Sequence, residues 1–302
     1  MIRVGAIDLG TNSTRLLVAD VEGGHVEEVG RGLRITRLGE GVDKRRRLLP
    51  APVARVRNVL ADFRRELDRL GAARTLAVAT SAVRDAENGE AFLGEVEWSY
   101  GFSTRLLTGD DEARLTYRGV TAGRSLEPRT LVVDIGGGST ELILADWHAS
   151  LDLGSVRMTE RFGEDIDAIG AYVHAITPAL DVLGAVGVAG TVTSLAALDL
   201  GLVEYDPLRV HGHVLTMDAI DEQLARLAAL PLEERRRLPG LEPERAPVIV
   251  AGAAILRELL RRYGLDRIEA SEHDLLHGTA LAAAELPEPT EGNAPPGAYT
   301  CC

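Results

Sequence analysis

The stretch Leu131-Val132-Val133-Asp134-Ile135-Gly136-Gly137-Gly138-Ser139-Thr140-Glu141 constrains this chain more than any other. A run of strand-forming residues ends at a carboxylate, three glycines and two hydroxyls follow, and Glu141-Leu142-Ile143-Leu144 begins a second strand. The pattern predicts a β-hairpin with a glycine loop at its tip. Without Cβ atoms, Gly136, Gly137 and Gly138 can bring backbone N–H groups close to an anion, with Ser139 and Thr140 adding hydroxyls. Asp134 and Glu141 flank the loop as hard oxygen donors of the kind that suit Mg²⁺. An ordinary hairpin turn explains one such loop equally well.

The same design opens the chain. Val4-Gly5-Ala6-Ile7 leads to Asp8, the turn Gly10-Thr11-Asn12-Ser13 follows, and Leu16-Leu17-Val18 continues as a strand. Two copies of strand, Asp, glycine turn and strand, each opening about half of the chain, predict two related domains facing each other across a phosphate site.

Composition narrows what can bind there. Thirty-three basic against 46 acidic residues leave a net charge of −13, which excludes a broad basic face for nucleic acid. An anion must instead be gripped locally. Lys44 is the only lysine, so arginine, whose planar fork suits phosphate, carries almost all the positive charge. No apolar run reaches the length of a membrane span, and no signal-peptide pattern opens the chain, so a cytoplasmic location is expected. Cys301 and Cys302, adjacent at the end, make no structural framework.

Between the hairpins, Val26 to Val29 reads as a third strand, and Arg31 to Arg47 as a basic, glycine-punctuated loop. That loop is either solvated or a rim that recruits a polyanion. Pro50 and Pro52 introduce a helix with apolar residues at Val53, Val56, Leu60, Phe63 and Leu67, ended by Gly71. Thr75 to Ala79 is a buried strand running into Thr80-Ser81-Ala82-Val83-Arg84, a strand-to-helix junction that can seat a phosphate. There Arg84 either adds charge to that seat or pairs with Asp85. Gly109 starts a helix whose early acids Asp110, Asp111 and Glu112 suit the helix dipole.

After the glycine loop, Leu151 to Arg157 reads as a strand carrying Gly154, and Asp165 to Leu183 as a helix. Val188-Ala189-Gly190-Thr191 is a third glycine–hydroxyl turn at a strand end, either a phosphate contact or a close-packed corner. Further helices are expected from Thr216, over Ala246 to Tyr263, and over Leu275 to Leu286. His273 and His277 are four apart, but with no third ligand evident they are a poor metal pair.

Six segments in order resemble the exopolyphosphatase / guanosine pentaphosphate phosphohydrolase family. They are residues 8–13, 79–88, 112–117, 133–141, 154–162 and 188–194, and the resemblance runs from the start of the chain to about residue 285. It implies an α/β fold: two ribonuclease-H-like domains of the actin–hexokinase–Hsp70 superfamily with an interdomain active-site cleft. The expected divisions are residues 1–124, 125–286 and a disordered tail at 287–302. Longer family members carry a further helical C-terminal region, before which this chain stops.

The family hydrolyses the terminal phosphoanhydride of inorganic polyphosphate or the 5′ γ-phosphate of guanosine pentaphosphate. By resemblance its catalytic glutamate maps onto Glu112, with Asp111 as the fallback. Arg84 joins it, and Gly10, Thr11, Asn12, Ser13, Gly136, Gly137, Gly138, Ser139, Thr140, Gly190 and Thr191 bind phosphate. Asp134, Glu141 and Asp8 would hold Mg²⁺ or Mn²⁺. A homodimer with no nucleic-acid or membrane partner is expected. A superfamily kinase or chaperone, and a non-catalytic sensor of guanosine tetra- or pentaphosphate, are the rival readings.

Overall fold

The computed structural model describes residues 1–287. The expected tail from 288 on, with Cys301 and Cys302, lies outside the described residues. The chain forms two compact units. Unit 1 holds residues 1–124 together with 274–287, and unit 2 holds Ser125–His273.

Unit 1 is built on the mixed sheet β3-β2-β1-β4-β5. Strands β1 (Ile2–Leu9), β2 (Ser13–Glu22) and β3 (His25–Ile35) form an antiparallel meander, and β4 (Arg74–Ala79) and β5 (Ser103–Leu106) run parallel to β1. The third strand is longer than its apolar pattern indicates. Arg31 and Arg34 pair with Leu17 and Thr14 across the sheet, so the basic loop begins only after Ile35.

Helix α1 (Val42–Arg45) is a single turn within that loop. Helix α2 (Pro50–Leu70) has Pro at its first position, where no intrahelical N–H is lost, and Gly71 closes it in the left-handed conformation. Its buried stripe Val53, Val56, Leu60, Phe63 and Leu67 packs into one core with Ile7, Leu16 and Ala77. Three helices complete this stretch: α3 (Ser81–Arg84), α4 (Gly89–Tyr100) and α5 (Gly109–Val120).

Unit 2 repeats the strand order. Strands β6 (Thr130–Ile135), β7 (Thr140–Ile143) and β8 (His148–Leu151) make the meander, and β9 (Gly184–Val188) lies parallel to β6. On its far side come β11 (Arg267–Ala270), parallel to β9, and the added antiparallel strand β10 (Val214–Thr216). The helices are α6 (Ser155–Phe162), α7 (Ile166–Ile176), α8 (Ala189–Asp199), α9 (Pro207–Val210), α10 (Met217–Ala229), α11 (Leu232–Arg235) and α12 (Ile249–Tyr263). Residues 155–157, expected in a strand, start α6 instead, because Gly154 is its N-cap. Among the described residues no helix is long and apolar enough to cross a membrane.

The last helix, α13 (Leu275–Ala284), corrects the expected division at residue 286. It belongs to unit 1, where Leu275, Leu276, Ala280, Leu281 and Ala283 share a core with Val4, Ala6, Leu17, Leu76 and Val78. The alternation of β1, β2 and β4 gives that sheet two apolar faces, and α2 covers one. The other has to be covered by a helix from elsewhere. At Gly119 and Gly278 an added Cβ would fall far inside contact with the Asp274 and Leu115 carbonyls, so α5 and α13 meet backbone to backbone.

Candidate active site

In a sheet with parallel strands, the loops leaving the carboxyl ends are the usual ligand seats. In unit 1, β1, β4 and β5 deliver to one edge the turn Gly10–Ser13, the junction Thr80–Arg84 and the start of α5. Backbone hydrogen bonds hold the three together, Thr80 N–H to the Leu9 carbonyl at 3.5 Å and Leu107 N–H to Ala79 at 2.9 Å. The Thr11 and Ser81 hydroxyls add a 2.8 Å link.

At the start of α5, two acids have different tasks. Thr108 caps the helix by accepting from the Asp111 N–H at 3.1 Å, and the Asp111 carboxylate accepts from the Thr108 hydroxyl at 2.6 Å and backbone N–H at 3.3 Å. This reciprocal capping box also lowers the Asp111 pKa, chiefly through the Thr108 hydroxyl bond. Glu112, one residue on, is buried, and its Oε2 accepts from Arg84 Nη1 at 3.1 Å. The same nitrogen donates to the Leu107 carbonyl at 2.9 Å, which fixes the guanidinium beside the carboxylate. Arg84 therefore pairs with Glu112, a link that residues 81–88 do not reveal by themselves.

Asp8 ends β1 inside an ionic cluster. Its Oδ2 accepts from Arg15 Nε at 2.9 Å, and the other arm of Arg15 pairs with Asp274, the N-cap of α13. Burial pushes the Asp8 carboxyl up against the pull of Arg15. Burial acts on Asp274 too, but Arg15, His277 and hydrogen bonds outweigh it and hold that carboxyl low. Asp8 Oδ1 and Asn12 Nδ2 are both buried without a hydrogen-bond partner. An orphaned carboxylate oxygen and an orphaned amide donor in one turn suit a cation and an anion respectively, which is what a metal-bound phosphate presents.

In unit 2, β6 and β9 bring the glycine loop and the turn at Gly190 to one carboxyl edge. The loop is held from below by α6. Ser155 N–H donates to the Gly136 carbonyl at 3.0 Å, and Val156 and Arg157 N–H donate to Gly137 at 2.8 and 3.1 Å. The buried Arg157 adds Nε to the Gly138 carbonyl at 2.6 Å. In a planar trans peptide the N–H points opposite to the C=O. Carbonyls 136–138 face α6, so the N–H groups of Gly137, Gly138 and Ser139 face away from it, the arrangement that a candidate anion cradle requires. Asp134 and Glu141 stand directly opposite in the β6–β7 register, both buried, with Glu141 Oε1 accepting from the Ser150 hydroxyl at 2.7 Å.

Two carboxylates fit a Mg²⁺ ion that takes its remaining ligands from water and phosphate. Among the described residues no group of three or more His, Cys, Asp or Glu side chains is placed to hold a metal ion by itself, His273 and His277 included. At the third turn Ala189 adopts φ +63°, and the site of a Gly190 Cβ is filled by the Arg245 guanidinium. Arg15, Asp274, Arg157 and Arg245 adjoin the candidate site residues and were not expected there from the sequence. Arg157 lies inside a recognised segment and Arg15 two residues beyond one, whereas the other two carry no local signal.

The Ppx/GppA phosphatase family profile matches residues 17–285. The chain belongs to this family. It is a hydrolase acting on phosphoanhydrides, and unit 1 and unit 2 are the family's two mixed-sheet α/β domains. Exopolyphosphatase 2 of Mycobacterium tuberculosis is 37% identical, over 94% of this chain and 99% of that protein. The guanosine-5′-triphosphate,3′-diphosphate pyrophosphatase of Aeromonas salmonicida is 30% identical over 90% of this chain, which spans 58% of that protein. Among solved structures, the Ppx/GppA family member of Aquifex aeolicus superposes with a TM-score of 0.77 at 32% identity, covering 94% of this chain and 97% of the other.

Within this Ppx/GppA chain, Arg157 is a positioning residue for the glycine loop, and truncation tests it. Arg157→Ala is expected to cost about 1.5–3 kcal/mol, the value of a hydrogen bond from a charged donor, and to weaken binding of inorganic phosphate. Melting temperature and equilibrium phosphate binding read the two effects, and Arg157→Lys should recover part of each. Parental phosphate affinity in Arg157→Ala would show that the α6 backbone bonds alone hold the loop.

Proposed function

We propose that the protein removes the terminal phosphate of inorganic polyphosphate by attack of water on the end phosphoanhydride. The observation that carries this reading is the contrast at the start of α5. Asp111 is committed to capping, whereas Glu112 is buried against Arg84 at the carboxyl edge of the parallel strands.

Phosphoanhydride hydrolysis needs positioning and charge neutralisation more than covalent chemistry. Glu112 orients the water and takes its proton, and Arg84 fixes that carboxylate while offering charge to phosphate oxygens. The N–H groups of Gly10–Ser13, Gly136–Thr140, Gly190 and Thr191 hold the phosphates that do not react. Asp134 and Glu141 in unit 2, and separately Asp8 in unit 1, would offer carboxylate oxygens to Mg²⁺ or Mn²⁺, whose charge, when bound, would offset that of the phosphate oxygens. The reading includes a homodimer in the cytoplasm.

The test is phosphate release from polyphosphate, guanosine pentaphosphate and ATP, each with and without Mg²⁺. Polyphosphate is expected to be shortened from its end, cation-dependently, with no internal cuts on a gel. Faster release from guanosine pentaphosphate would assign that substrate instead. The 30% identity to the Aeromonas pyrophosphatase is what favours this second reading.

A further inference from the structure

The basic run Lys44-Arg45-Arg46-Arg47 has no part in the site described above. All four side chains are exposed, and among the described residues none of them is in an ion pair. Four adjacent unneutralised charges repel one another in a chain whose net charge is −13. The surrounding structure nevertheless holds this run in place.

Upstream, the segment is tied to the first phosphate turn. Thr36 and Arg37 N–H donate to the Asn12 carbonyl at 3.0 and 2.9 Å, and Gly39 N–H donates to Thr11 at 2.8 Å. A Cβ at Gly39 would collide with the Thr11 side chain, so only glycine permits that approach. Downstream, the loop is clamped to the segment that follows Arg84. Glu87 N–H donates to the Arg46 carbonyl at 2.8 Å, and Asn88 bonds both Leu48 N–H and its carbonyl at 2.8 and 3.1 Å. Arg37 and Arg46 sit at φ 50° and 52°, a left-handed conformation that side-chain-bearing residues rarely adopt. Both ends of the basic run are therefore anchored to candidate phosphate-binding elements of unit 1.

We infer that Lys44–Arg47 is a tail subsite, which takes the phosphates of a linear polyphosphate beyond those gripped at Gly10–Ser13. Gly39 and Lys44 are five residues apart, at most about 18 Å of chain, a span that several phosphates in line can follow. A compact nucleotide has no such tail, so the run favours a linear polyanion over guanosine pentaphosphate. The inference rests on the proposed polyphosphate reading, and binding separates the two.

The experiment measures equilibrium binding of long-chain polyphosphate and of tripolyphosphate to the full chain in Mg²⁺-free buffer over a range of salt. In Arg45→Gln/Arg46→Gln/Arg47→Gln, the Kd for the long chain is expected to rise about tenfold at low salt, with its salt slope shallower by about two to three. Tripolyphosphate should bind within about twofold of the parent, and the triple Arg→Lys variant should behave like the parent. Unchanged long-chain binding, or equal weakening of tripolyphosphate, overturns the subsite. Equal weakening by Arg226→Gln/Arg237→Gln/Arg262→Gln, which removes the same charge from unit 2, overturns its location. A single-stranded oligonucleotide of matching charge bound as tightly through the same arginines would make the run a nucleic-acid surface instead. If the parent binds long chains with this dependence yet releases no phosphate from them, the proposed reaction fails and the subsite stands.

Discussion

Glu112→Gln is expected to lower kcat by about 10²–10⁴-fold while the protein still folds and binds phosphate. Gln keeps the size of Glu and can still accept from Arg84, so the ion pair is replaced by a hydrogen bond from a charged donor to a neutral acceptor. It cannot accept the proton of the attacking water. If Glu112 served only the helix dipole, the change would cost about 0.3–1 kcal/mol of stability and leave kcat alone. Asp111→Asn is the internal control. It weakens the capping box with Thr108 and should lower the melting temperature while sparing kcat. The Asp111 pKa is lowered in the folded state, so its contribution to stability is present above the unfolded value. It is lost as pH falls through the folded one. The asparagine variant should accordingly lose that part of the acid dependence of melting. A Glu112→Gln enzyme with near-parental kcat would sink the assignment.

Gly154→Ala should be equally damaging by a different route. A Cβ there falls among the backbone atoms of Gly137 and Gly138, 2.5 Å from the Gly138 carbonyl carbon. Backbone on both sides gives way only if the glycine loop moves, so stability should fall by about 1–3 kcal/mol or more. The cradle N–H groups move with the loop, and kcat/KM should fall at least about tenfold, since each misdirected donor costs more than one factor of ten. Gly163→Ala separates crowding from backbone strain. Gly163 closes the same helix at φ +63° with nothing within 4 Å, so alanine there should cost stability without touching activity. Melting temperature and phosphate release on both variants decide the matter. Parental kinetics in Gly154→Ala would mean that the loop tolerates displacement.

Much of this was legible because the relevant signals are local. The two Asp–glycine hairpins announce themselves through strand formers that stop at a carboxylate, and both take the expected β-hairpin form. The α2 stripe and its Pro and Gly ends are equally local. Three features were hidden for specific reasons. Leu151, Leu153 and Val156 mimic a strand around Gly154, whose extended φ of −131° does continue β geometry for one residue before α6 begins. The third strand runs into the basic segment because Gly30 and Gly32 make room there for Leu70 and Phe63 of α2, a packing reason invisible in the strand itself. Arg245 and Asp274 reach their partners only through tertiary structure, Asp274 meeting Arg15 across 259 residues of sequence.

The return of α13 to unit 1 has a consequence for how this protein is made. On the ribosome, the residues that build the first sheet emerge early, yet the face formed by Val4, Ala6, Leu17, Leu76 and Val78 is met only by Leu107 and Leu115 until Leu275–Ala284 has emerged. Unit 2 is continuous in sequence and can complete its own core first. For that interval the nascent chain exposes an apolar sheet face of the kind that chaperones bind and aggregates recruit. A chain released from the ribosome after His273 would therefore hold a complete second unit and a sticky, unfinished first one.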